Sequence, residues 1–177
     1  AGASNAYPRV GPLVINEIMY HPPDAGEPPV NNVADEFVEL HNIGDDAVSL
    51  FDPLQPANTW RLSGEVDFAF PPATVVTGGG SLVVAGTTNL AAFKLSRGLG
   101  DDVPVLGPWT GVLDNAGGRL VLEKPDVPSE GAVSYIVIDA VDYDDEGAWP
   151  QSPDGFGPSL ERTLPDHYGN DASNWHA

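Results

Sequence analysis

The sequence predicts an all-β domain, a sandwich or a barrel, finished by an irregular C-terminal wrap, and three observations carry that prediction. Apolar and β-branched residues gather in short runs separated by turn residues. The 20 Gly and 18 Pro among 177 residues demand many turns and few long helices. No stretch sustains the 3.6-residue periodicity of a long amphipathic helix. A hydrophobic content of 41% argues against general disorder, and a single domain of this length buries roughly two-thirds of its unfolded surface.

Taken in order, Leu13 to Tyr20 is the first β-rich run. A Pro-, Gly-, Asn- and Asp-rich stretch from His21 to Ala34 interrupts the pattern, which resumes over Glu36 to Ile43. Further strands are expected at Val48–Phe51, Thr59–Leu62, Val66–Phe70, Ser81–Ala85, Arg119–Glu123 and Ala132–Tyr143, each bounded by turn residues. Asn89 to Ser96 reads as a short helical connector, capped at Thr88 or Asn89. Gly78-Gly79-Gly80 lacks the Lys and Ser or Thr of a phosphate loop and precedes a strand, so it reads as a turn. Apolar residues recurring in these runs assign the core to Val14, Ile15, Ile18, Phe37, Val38, Leu40, Trp60, Leu62, Phe70, Leu82, Val84, Leu120, Leu122 and Val141.

Several segments are more particular than strand patterning requires. They include Leu13-Val14-Ile15-Asn16-Glu17-Ile18-Met19-Tyr20, Asp35-Glu36-Phe37-Val38-Glu39-Leu40-His41-Asn42 and Asn58-Thr59-Trp60-Arg61-Leu62. Phe70-Pro71-Pro72, Val75 to Ala85 and Leu113-Asp114-Asn115-Ala116-Gly117-Gly118-Arg119 follow, and then Val141-Asp142-Tyr143 and Trp149-Pro150. Gly155-Phe156-Gly157-Pro158-Ser159-Leu160-Glu161-Arg162 and Asp171-Ala172-Ser173-Asn174-Trp175 close the series. In this order the chain from Pro12 onward resembles the lamin-tail domain, and its late segments are similar to the tail of the bacterial members. The resemblance implies an immunoglobulin-like β-sandwich. It also implies a noncatalytic binding or structural module of a larger secreted or surface protein, such as modules attached to hydrolases or spore-coat-type kinases. The His21–Ala34 loop is longer than in nuclear lamins, and the segment after Tyr143 has no counterpart there.

Charge narrows the partners. Against 7 Lys and Arg stand 26 Asp and Glu, a formal charge of −19, which repels phosphate backbones and favours cations, basic partners and solubility in salt. Nucleic acid is therefore not an expected partner; the partner is an unidentified protein or surface ligand. Absence of cysteine rules out disulfides, thiolate metal sites and a cysteine nucleophile. No apolar run reaches the roughly 20 residues of a membrane span, and the first residues lack the regions of a signal peptide. Residues 1–11 are expected to be a linker or remnant, and 12–177 a single domain including the wrap 149–177. The localisation expected is extracellular or cell envelope, within a multidomain chain.

Candidate site residues divide into aromatics, carboxylates and histidines. Trp60 is expected in the core and Trp175 as a pin for the tail, while Trp109 and Trp149 are the candidates for ligand stacking in a carbohydrate or surface-ligand module. Glu17 and Glu39 lie in strands whose antiparallel pairing can bring them to one face, as acid and base of a small hydrolase, as metal ligands, or as solvated side chains. Asp139, Asp142, Asp144, Asp145 and Glu146 form the densest acidic run. Of these, Asp142, Asp144, Asp145 and Glu146 are the candidate ligands of a divalent cation, calcium being the one that hard oxygens in a flexible loop suit, although the spacing is not that of an EF-hand; no cofactor is otherwise expected. His21, His41, His167 and His176 supply no recognisable nucleophile-elbow triad.

Overall fold

The computed structural model describes residues 9–126 and 133–177. Residues 1–8 of the expected 1–11 linker and the start of the expected strand at Ala132 lie outside the described residues. In chain order the elements are β1 (Leu13–Met19), β2 (Phe37–Asn42), β3 (Val48–Ser49), β4 (Phe51–Asp52), β5 (Gln55–Thr59), β6 (Arg61–Gly64), β7 (Val66–Ala69), β8 (Val75–Val76) and β9 (Ser81–Ala85). Then come α1 (Leu90–Ser96), β10 (Val105–Leu106), β11 (Thr110–Gly111), β12 (Gly117–Pro125), β13 (Tyr135–Asp144), β14 (Leu160–Arg162) and β15 (Trp175–His176).

These strands form an all-β sandwich. One sheet has six strands in the order β10-β9-β2-β1-β14-β15, the other five in the order β11-β7-β6-β12-β13, and β3-β8 and β4-β5 are small ribbons. The shared core is supplied from both sheets, by Ile15, Ile18, Leu40, Leu82 and Leu160 on one side and Leu62, Leu120, Leu122 and Val141 on the other. Every core residue expected from the sequence is buried.

The path of β1 shows how sequence sets face. Ile15 pairs with Leu40 but Glu17 with Glu39, leaving Asn16 as the extra residue of a bulge. One additional residue inverts the two-residue alternation. Leu13 and Ile15 before the bulge, and Ile18 and Tyr20 after it, therefore all reach the same core, while Glu17 turns to the outer face. That outer face is not wholly open. Met19, Phe37, Val83 and Ala85 are covered by Phe93 of α1, whose ring meets Phe37 edge-on at 5.8 Å. Asn89 caps the helix by accepting from the Ala92 N–H at 3.3 Å.

Three expectations are corrected. Val48–Phe51 is not one strand: it breaks at Leu50, with Val48–Ser49 pairing to Val75–Val76 and Phe51–Asp52 to the strand ending at Thr59. Thr59–Leu62 likewise divides at Trp60, where the chain turns a corner and buries the indole. The tail is also more regular than expected. Leu160–Arg162 enters the six-stranded sheet against β1, and Trp175–His176 extends it. Strands of two or three residues are too short for a period of two to be visible in sequence.

The Gly78–Gly80 run is a turn entering β9. Gly79 has φ +66, and a Cβ on Gly78 would collide with the Asp45 backbone. Buried Asn42 ties that turn down by donating Nδ2 to the carbonyls of Asp46, Val76 and Thr77.

Candidate functional site

The bulge at Asn16 has a chemical consequence on the outer face of the six-stranded sheet. Glu17 pairs directly with Glu39 on β2 and with Glu161 on β14, so three carboxylates stand side by side across adjacent strands. Directly opposed residues have Cβ atoms about 4.5–5.5 Å apart. The row continues to His176, opposite Glu161 on β15, with Nε2 at 3.6 Å from Oε2. Asn16 Nδ2 donates to Glu39 Oε1 at 3.0 Å, and the buried Ser159 hydroxyl donates to Glu17 Oε1 at 2.5 Å. His41, two residues beyond Glu39 on the same face, contacts the Ser81 hydroxyl at 3.1 Å.

Burial raises the Glu17 pKa above the ordinary carboxylate value; the Ser159 hydrogen bond opposes this, and the charges of Glu39 and Glu161 add to it. Such a row can hold a shared proton or receive a cationic group. It lies on the outer sheet face beside α1, whose C-terminal Arg97 is near enough to oppose the rise in the Glu17 pKa. One cavity of about 400 Å³ is lined by tail residues including Thr163, His167, Tyr168 and Asn174. Another, of about 340 Å³, is lined by Asn31, Glu65, Leu113, Asp114 and Asn115. Neither is lined by Glu17 or Glu39.

The other candidates are dispersed. Trp60, Trp109 and Trp175 are buried, which overturns Trp109 as a stacking platform. Trp149 packs partly buried on the core, 6.0 Å from Trp175. Trp175 pins the tail as expected, donating Nε1 to the Gly169 carbonyl at 2.7 Å. Among the described residues the exposed aromatic rings are Phe156 and Tyr168, neither of which the sequence marks as a ligand-stacking candidate.

The acidic run is split by strand alternation. Asp139 faces inward and meets the Arg162 guanidinium with both oxygens, at 2.9 and 3.3 Å. Asp142 faces outward, where Arg119 donates to both oxygens at 2.5 and 2.8 Å and Asn170 Nδ2 donates at 2.8 Å. Asp144 accepts the Glu146 backbone N–H at 2.8 Å, and Asp145 follows in the same loop. Among the described residues, no three His, Asp or Glu side chains are gathered to hold a metal ion.

Among the histidines, His21 Nδ1 lies 2.5 Å from Asp154, tying the first long loop to the tail, and the ring of His167 lines the larger cavity. His176 has the Thr163 hydroxyl at 3.3 Å from Nδ1 and Glu161 near Nε2, on exposed surface. Sequence reading brought Glu17 and Glu39 together, as the register does, but did not join Glu161, Ser159 or His176 to them. Their signal was faint: an apolar–acidic–basic alternation over Leu160, Glu161 and Arg162.

No family model matches this chain, and no curated protein matches it.

Proposed function

We propose that the chain is a noncatalytic, lamin-tail-type interaction module of a larger bacterial extracellular or envelope protein, and that it engages a cationic protein segment across Glu161, Glu17 and Glu39. The register that aligns these three carboxylates carries the reading. Like charges directly opposed on a sheet are destabilising, and a Lys or Arg laid across them would relieve the repulsion. Net charge of −19 would steer the same partner from a distance. The lamin-tail assignment is supported by where the resembling segments fall: the late ones supply Ser159, Glu161, Arg162 and Trp175, which the fold uses for the acidic row and for closing the sheet.

The test is binding of a fluorescent oligolysine peptide. The triple variant Glu17→Gln, Glu39→Gln, Glu161→Gln should weaken binding at least ~10-fold, and salt should weaken the wild type. The control Asp24→Asn, Asp101→Asn, Asp102→Asn removes the same charge from other surface. Equal losses in both variants would mean that diffuse charge, not the row, attracts the peptide.

A second reading, a carbohydrate or surface-ligand module, is favoured by the tail cavity, where Tyr168 offers a ring beside Asp166, His167 and Asp171. A glycan panel with Tyr168→Ala as control separates it from the first.

A further inference from the structure

β13 is the edge of the five-stranded sheet, and its two halves are finished differently. Among the described residues β12 is its only strand neighbour. Over Asp139–Asp144 the tail covers it: Arg162 holds Asp139, and Asn170 both accepts from the Asp142 N–H at 2.6 Å and donates to its carboxylate. Over Tyr135–Ile138 no such tail contact is made among the described residues. This half carries no charge, and Ile136 and Val137 are 42% and 54% exposed. Consecutive strand residues point to opposite faces, so both faces are partly open at Ile136 and Val137, while Ile138 packs against the core.

Edges in natural sheets are guarded by shortness, charge, proline or a bulge. β10, β11 and β15, which end the two sheets elsewhere, are two residues long. The Tyr135–Ile138 half is longer, β-prone and uncharged, with a bulge only at its inner end, where Ile138 is the extra residue. Its neighbours also differ from the rest of the surface. Lys124 pairs with Ile136 in register, and Arg61 lies 3.8 Å from the Tyr135 ring centroid while bonding Glu123. Two of the chain's 7 Lys and Arg thus border this edge.

We propose that two copies of this chain pair antiparallel through Tyr135–Ile138, joining their five-stranded sheets into one continuous sheet across a twofold axis. A second copy fits because the run, one tyrosine followed by three β-branched aliphatic residues, is uncharged throughout and so meets no like charge when reversed against itself. Lys124 and Arg61 balance Glu123 and Asp126 around it, so two molecules of charge −19 meet here on a locally neutral edge. A twofold contact between edges consumes both and closes the assembly at two.

Sedimentation velocity of the full chain across a wide concentration range tests this. The dimer fraction should rise with concentration. It should also rise with salt, since salt screens the repulsion between like-charged copies; an ionic interface would show the opposite sign. Val137→Lys should weaken association at least ~10-fold with an unchanged melting temperature, whereas Asp142→Asn on the covered half should leave it intact. As a readout that needs no variant, amide exchange at Ile136–Ile138 should slow as wild-type concentration increases. A monomer at every concentration in high salt, a dimer that salt dissolves, or a dimer indifferent to Val137→Lys overturns the proposal, as does pairing at this edge only with some other protein's strand.

Discussion

Two Arg–Asp pairs hang from the same strand, three residues apart, and they do different work. Asp139 turns inward and pairs with Arg162, whose side chain is fully buried. Asp142 turns outward and pairs with Arg119, both about half exposed. Identical chemistry is set on opposite sides of β13 by the parity of one strand. The inner pair is also the junction of the two sheets. The Ile15 N–H donates to Asp139 at 2.9 Å and Arg162 donates to the Ile15 carbonyl at 3.1 Å, so β1, β13 and β14 meet on one guanidinium and one carboxylate. Backbone groups loosened by the bulge in β1 find their partners there. The outer pair joins β12 to β13, which the strand ladder already holds together.

The largest difference should appear on removing the cation. Arg162→Ala leaves Asp139 buried without a counter-charge and should cost about 3–5 kcal/mol, read by chemical denaturation. It also removes a guanidinium 5.7 Å from the Trp175 ring, so Trp175 fluorescence should shift. Because breaking one partner leaves a buried charge, the Arg162→Ala, Asp139→Ala double variant should recover part of the loss. A loss below about 1 kcal/mol for Arg162→Ala would place this pair with the surface pairs and erase the distinction.

Glu36 sharpens the comparison from another side, being a buried carboxyl with no cation beside it among the described residues. It is fully buried, accepts the Leu113 N–H at 3.0 Å through Oε2, and has no partner at Oε1 among the described residues. Burial pushes its pKa up to about 7, only partly offset by the Leu113 hydrogen bond. An acid whose pKa is raised in the folded state holds a proton that the unfolded chain has already lost. Its contribution is therefore fully present below about 4.5, falls as pH rises, and is gone above about 7. At about 1.4 kcal/mol per pKa unit the loss is about 3 kcal/mol. Glu36→Gln should flatten the fall in stability between about pH 4.5 and about pH 7, the window in which the unfolded chain has lost this proton and the folded protein still holds it. An unchanged pH profile would show that Glu36 ionises freely in the folded protein.

The fold was legible where strands were long, and the site where both partners lay in such strands. Glu17 and Glu39 could be brought together because each sits within a strong β-run. Asp139 could not be separated from Asp142, Asp144, Asp145 and Glu146, because that separation rests on inward and outward parity and on a partner, Arg162, contributed by a three-residue strand of the other sheet. Glu161 was hidden for the same reason. Trp109 carried no strand signal of its own and is buried by long-range packing, beside Gly86 and against the core.

The smallest effect is expected at the outer pair. Arg119→Ala should cost less than about 1 kcal/mol, since an exposed ion pair gains little over water and is weakened by salt. Calcium makes this small change informative. An ion seated on Asp142 with Asp144, Asp145 and Glu146 must compete with Arg119, whose guanidinium spans both Asp142 oxygens. Removing that competitor frees the ligands, so any rise in melting temperature caused by calcium should be larger in Arg119→Ala than in wild type, and should vanish in Asp142→Asn. Thermal melts with calcium and with chelator at constant ionic strength read this directly. A calcium shift that ignores both substitutions would locate the ion elsewhere, and no shift in any of the three proteins would leave these four carboxylates as solvated surface.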